Sequence, residues 1–72
     1  MNLEDYRITC GWSKNEMARQ ASMDFNTLNR ALNGENVSLG TADKIAAAIS
    51  RKLGRSIPWQ TIEGLNANVK SL

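Results

Sequence analysis

Cys10 is the only thiol of the chain and there is no histidine. That removes the commonest general base, and with it every Ser-His-Asp or Cys-His nucleophile. It also removes the Cys and His ligand sets of structural zinc and any intrachain disulfide. Catalysis would have to rest on carboxylates or lysine, so an enzyme, a bound metal and a cofactor are not expected. Nothing near Cys10 in sequence would lower its pKa, and it reads as a small core residue. The polar groups that remain are hydrogen-bonding ones. Ser13 and Glu16 stand at the spacing of a capping box. The stretch from Phe25 to Asn33 holds three Asn among nine residues, although Asn ranks low in helix propensity. A local rule broken on an exposed face points to use.

The elements that position these residues must come from a very small domain. A chain of 72 residues buries only roughly 60% of its unfolded surface, and with no covalent or metal staple its core must be helical or oligomeric. The longest apolar run, Ile45 to Ile49, is far short of the roughly 20 residues of a membrane span. Glu4 and Asp5, with no apolar stretch behind them, argue against a secretory signal. The expectation is a cytoplasmic protein, and the chain is a candidate for a whole one. Net charge is +2, but residues 1 to 40 carry four basic and five acidic groups, whereas residues 41 to 72 carry five basic and two acidic. Attraction to phosphate must therefore be local.

The periodicity predicts an all-α fold of five helices. Leu3, Tyr6 and Cys10 form the apolar face of the first, which ends at Gly11. Ser13 caps the second, with Met17, Ala18 and Ala21 buried and Trp12 folding back from just before the cap. Asp24 caps a third helix of about Phe25 to Asn33, with Leu28, Ala31 and Leu32 on its apolar face and Asn33-Gly34 as its terminator. Only Ser22, Met23 and Asp24 separate the second and third helices, which must meet in a tight turn. Residues 35 to 40 read as a connector. Thr41 or a neighbour caps a fourth helix with Ala42, Ile45, Ala46, Ile49 and Leu53 inward. Pro58 starts a short fifth helix continued by Ile62 and Leu65. Residues 1 to 65 form a single domain, and 66 to 72 a flexible tail.

The segment Ser13-Lys14-Asn15-Glu16-Met17-Ala18-Arg19-Gln20-Ala21-Ser22-Met23-Asp24-Phe25-Asn26-Thr27-Leu28-Asn29-Arg30-Ala31-Leu32-Asn33-Gly34 resembles the helix-turn-helix of the phage repressor and Cro-like family, often called the XRE family. The resemblance takes in Arg7 and the fourth helix and covers roughly Leu3 to Leu65. It implies a compact five-helix bundle of lambda-repressor-like type with the helix-turn-helix formed by the second and third helices. Glu16-Met17-Ala18 is similar to the family's Glu-Leu-Ala, and Leu28 and Gly34 fall at family positions. Two residues depart from the pattern. Ser22 stands where Gly is usual in the turn, and so must avoid positive φ or tolerate strain. Leu32 stands where many members carry a Glu that pairs with the first-helix Arg, leaving Arg7 without that partner.

The resemblance implies that Phe25, Asn26, Thr27, Asn29 and Arg30 read bases in double-stranded DNA. Their chemistry fits: Arg matches guanine O6 and N7, Asn matches adenine N6 and N7, and Thr or an apolar edge meets a thymine methyl. Ser13 and Lys14 would meet phosphate at the start of the second helix, with Asn36, Ser38 and Thr41 as further phosphate contacts. Plainer roles stand beside these. Asn33 is foremost a helix terminator. Arg51, Lys52 and Arg55 complement the fourth helix's dipole. Trp12 and Trp59 read as packing anchors, and Phe25 has three open uses: reading a methyl, filling a core gap or anchoring a protein. Two functions follow. One is a sequence-specific transcriptional regulator, dimeric on a palindromic operator, with dimer contacts from Trp59, Ile62, Leu65 or Val69. The other is a modulator, antirepressor or antitoxin that turns the same surface on a companion repressor or toxin, as Phe25, Leu28, Leu32 and the low net charge suggest.

Overall fold

The computed structural model describes residues 1–68, in the order α1 (Leu3–Thr9), α2 (Lys14–Gln20), α3 (Phe25–Leu32), β1 (Asn36–Ser38), α4 (Leu39–Leu53), a 3₁₀ turn (Trp59–Thr61) and β2 (Asn66–Asn68). Each helix starts where a short polar side chain precedes it, although the Ser13 and Asp24 caps work differently from their sequence signals. Asn2 and Asp5 form a full capping box on α1. Ser13 Oγ accepts from the Glu16 N–H at 3.1 Å, but the Glu16 carboxylate turns outward and accepts instead from Gln20 and Arg19. The Ser13 box is therefore half formed. Ser38 Oγ caps α4 by accepting from the Thr41 N–H at 3.2 Å, so that helix begins earlier than its apolar face suggests.

The ends of α1, α2 and α3 share one device. In each, the residue after the C-cap takes positive φ and two N–H groups return to the last turn, the Schellman arrangement. Gly11 and Gly34 fill this position in α1 and α3 at φ +73 and +83, and Ser22 fills it in α2 at φ +57. There Ser22 N–H donates to the Arg19 carbonyl at 3.1 Å and Met23 N–H to the Ala18 carbonyl at 3.0 Å, while the half-buried Met23 side chain packs on the core. Ser22 thus tolerates the strained conformation.

The core has the faces the periodicity predicts. Met17 of α2, Leu28 of α3, and Ile45 and Ile49 of α4 are its largest fully buried side chains. Ala18, Ala31, Ala42, Ala46 and Ala48 are buried among them and let helix axes approach closely. Cys10 is buried, and burial pushes its thiol pKa up, which leaves it inert. Trp12 is buried too, and Leu32, Leu53 and Trp59 lie half-buried against the core.

The architecture is not a five-helix all-α bundle. The described residues form four helices and a small two-stranded parallel sheet, with β1 paired to β2 in the register Asn36 to Asn66, Val37 to Ala67 and Ser38 to Asn68. The connector and the start of the expected tail supply these strands, and α4 with the return loop forms the crossover that parallel strands require. The predicted fifth helix is a single 3₁₀ turn. Beyond Pro58 only a few residues precede Gly64 at φ +79, too few for propagation to offset helix nucleation. Ile62 instead takes an extended conformation. Ile62 and Leu65 are buried in the core, so the three-residue spacing reflected burial without a helix.

Long-range polar bonds tie the elements. Leu3 N–H donates to the Glu63 carbonyl at 3.0 Å and Glu63 N–H to the Met1 carbonyl at 3.2 Å. Ser50 Oγ donates to the Ala46 carbonyl and accepts from the Ile57 N–H at 2.9 Å, fixing the loop after α4. Arg7 has a substitute for the partner that Leu32 cannot provide. Its Nε and Nη2 donate to the Glu4 carboxylate, and its Nη1 donates to the Trp12 carbonyl at 2.7 Å. Arg51 donates to the Gln20 carbonyl at 3.0 Å, so this cation serves the end of α2 as well as its own helix.

Two stability predictions follow from these contacts. Because a non-glycine residue in the left-handed region costs about 1 kcal/mol, Ser22→Gly is expected to stabilise by about that amount and raise Tm by about 5 °C. Ser22→Val should lower it, both read by thermal circular dichroism. The Arg7 hydrogen bond holds the Glu4 carboxyl below the usual carboxylate range. A depressed native pKa gives stability that is complete at neutral pH and is lost as pH falls through that native value. Arg7→Ala should therefore cost about 1 kcal/mol at pH 7, and less at pH 3, in urea titrations.

Candidate nucleic-acid interface

The short turn at Ser22 carries the chain from α2 to α3 and leaves one face of α3 in solvent. Leu28 and Ala31 turn inward. Asn26 and Arg30 are exposed, Thr27 and Asn29 are half-buried, and Phe25 is 41% exposed at the corner where the helix begins. Of the three uses open to Phe25, filling a core gap is thereby removed. Asn33 is the C-cap of α3, ahead of Gly34, as its terminator role requires.

Two carboxylates meet two of the polar side chains of this face, Thr27 and Arg30. Asp24 forms no cap bond to the backbone of α3; its Oδ1 accepts from the Thr27 hydroxyl. That engages the Thr27 proton and leaves its oxygen as an acceptor with its methyl beside it. Arg30 Nε donates to Glu35 Oε1 at a long 3.4 Å, with the Arg30 side chain 61% exposed. The terminal guanidinium nitrogens of Arg30 make no hydrogen bond among the described residues. They keep the paired donors that can match guanine O6 and N7.

An open groove of about 460 Å³ runs beside α3. Thr27 and Arg30 of α3 line it together with Asn36, Val37, Ser38, Leu39, Thr41 and Asn68. The structure thus brings together two sets of residues that are far less close in sequence: the end of the α3 face and the turn into α4. Ser13 and Lys14 are exposed at the start of α2 and Phe25, Asn26 and Asn29 lie on α3, all outside this groove. Ser13 already accepts from the Glu16 N–H and keeps its own proton to donate. Ser38 donates its proton to Thr41 Oγ1 at 2.9 Å, so Thr41 is the hydroxyl of that pair whose proton is free.

A family model of the helix-turn-helix matches residues 3–60. The chain belongs to the Cro/C1-type, or XRE, helix-turn-helix family. Neither the curated proteins nor the solved structures contain a match to it. Membership makes this a DNA-binding helix-turn-helix protein of the regulatory kind, and the match spans α1 to the 3₁₀ turn. No cluster of His, Cys, Asp and Glu suited to a metal occurs among the described residues. No described helix is long and apolar enough to cross a membrane.

Sequence reasoning missed three participants. Asp24 and Thr27 stand at the same three-residue spacing as Ser13 and Glu16, a signal that could have revealed their bond. Glu35 lies past the end of α3, where no helical period points to Arg30. Asn68 enters the groove only through strand pairing, which has no local signal at all. Since Glu35 opposes an anion at Arg30, Glu35→Gln in the helix-turn-helix is expected to tighten binding to any duplex about threefold and steepen its salt dependence, as measured by fluorescence anisotropy.

Proposed function

We propose that the protein is a sequence-specific transcriptional regulator of the repressor and Cro kind, which lays α3 in the major groove and binds a palindromic operator as a homodimer. The observation that supports it most is the solvent-facing side of α3, where Asn26 and Arg30 are exposed and Asn29 half-buried on a helix whose orientation the α2 turn fixes. In this reading Arg30 takes guanine, Asn26 and Asn29 take adenine, Thr27 accepts from an exocyclic amine and Phe25 meets a thymine methyl. Ser13, Lys14, Asn36, Ser38 and Thr41 hold phosphates and set the register. Access to chromosomal DNA places such a regulator in the cytoplasm.

A helix as short as α3 reads few base pairs, so specificity comes from two copies on half-sites about 34 Å apart. The dimer surface needs revision, because Ile62 and Leu65 are buried within the protomer and Val69 lies outside the described residues. Of the expected dimer contacts, half-buried Trp59 is left. The second reading, a modulator, antirepressor or antitoxin that binds a companion repressor or toxin, rests on Phe25, since Leu28 is fully buried and Leu32 packs on the core.

Anisotropy titrations against the DNA upstream of its own gene and a scrambled duplex, at two salt concentrations, separate the two readings. The regulator reading expects tighter binding to the upstream DNA, with Arg30→Ala losing about 1 to 3 kcal/mol of discrimination. Weak binding, equal on both duplexes, with Phe25→Ala abolishing capture of a companion protein, would move the function to the second reading.

A further inference from the structure

We infer that Asn68, on the strand after the family-matched residues, is a DNA-backbone contact that the C-terminal strand adds to the helix-turn-helix. The inference rests on the regulator reading above. The matched segment ends at residue 60, so nothing in the family assignment speaks for β2. The sheet register sets Asn68 opposite Ser38, and the groove that Asn68 lines is also lined by Thr27 and Arg30 of α3. A strand alternates its side chains between two faces. In β2, Ala67 packs on the core while Asn66 and Asn68 are exposed.

The two Asn side chains differ in what they do. Asn66 Nδ2 donates to the Gly34 carbonyl at 2.9 Å, which ties β2 to the end of α3. Asn68 makes no side-chain hydrogen bond among the described residues, and its amide stays available to a ligand in the groove. A side-chain amide reads adenine only when it lies edge-on to a base, whereas from the wall beside Asn36 and Ser38 it meets the sugar-phosphate strand that flanks the helix in the groove. The partner is therefore a phosphodiester of the operator duplex, with the Asn68 amide N–H as donor. The contact positions the protein and carries no sequence information of its own.

The test uses the full chain, with the upstream duplex and its scrambled control, for Asn68→Ala, Asn68→Asp and Asn68→Lys. Gln60, exposed on the 3₁₀ turn and outside the groove, is changed to Asp and Lys as a charge control. Asn68→Ala should weaken both duplexes about threefold and Asn68→Asp about tenfold, while Asn68→Lys should tighten both and steepen the salt dependence. Discrimination between the duplexes stays as in the unmodified protein. A merely structural role for Asn68 cannot produce opposite effects for Asp and Lys at unchanged Tm. Effects no larger than those at Gln60, alongside an Arg30→Ala variant that still loses discrimination, overturn the inference and leave the regulator reading standing. Lost discrimination in Asn68→Asp overturns the phosphate assignment in favour of base reading. Failure of the unmodified protein to bind duplex DNA overturns both.

Discussion

The direction of α3 depends on a backbone conformation that Ser22 holds against the preference of its own side chain. The residue sits in the left-handed region, where an L-residue is disfavoured by about 1 to 2 kcal/mol. Two backbone hydrogen bonds to the last turn of α2 and the packing of Met23 offset that cost. Because only four residues, Ala21 to Asp24, join the helices, a change in this one torsion would swing α3 as a unit and carry Arg30 away from the groove. The same closure at Gly11 and Gly34 sets α1 against α2 and α3 against β1. Three helix ends thus repeat one solution, and the two glycines supply it without strain.

A chain this short has little area with which to hold such a turn rigid, and it compensates at the ends of α2. Arg7 reaches from α1 to the Trp12 carbonyl just before that helix, and Arg51 reaches from α4 to the Gln20 carbonyl at its close. Two cations from flanking helices therefore fasten the reading unit to the rest of the core. Beneath it, the alanines of α2, α3 and α4 bring the backbones close enough for Met17, Leu28, Ile45 and Ile49 to fill the centre. The small sheet completes the frame. It joins the residues that follow α3 to Asn66–Asn68, so the groove wall is built from two segments far apart in the sequence.

What was legible in the sequence follows from the range of the forces involved. Helical faces are written in spacing over a few residues, and the inward sets of α1 to α4 read correctly for that reason. The strands were not legible, because a three-residue strand with one inward side chain, Val37 or Ala67, has no period to detect. Ile62 and Leu65 shared a helical spacing and are buried, yet Ile62 is itself extended and the left-handed Gly64 lies between them. Burial fixes which residues turn inward and leaves the path between them open. At the interface, the resemblance marked the exposed face of α3. The carboxylates at Asp24 and Glu35 and the amide of Asn68 depend on where the chain returns in space, which no local pattern records.

These additions change the electrostatic character of the reading surface. Arg30 is the one cation within α3, and its Nε faces Glu35, while Thr27 is held by Asp24. A face so nearly neutral attracts phosphate weakly from a distance, and the counterion release that drives nonspecific binding is correspondingly small. The Asp24 carboxylate that engages the Thr27 hydroxyl also orients that side chain's remaining acceptor before any base arrives. Less ordering is then needed on contact. On the proposed regulator reading, this balance favours discrimination over affinity at each half-site. In the regulator proposed above, affinity comes from neutral hydrogen bonds to the backbone along the groove wall and from the pairing of two protomers, and both are properties of the frame around the helix-turn-helix rather than of α3 itself.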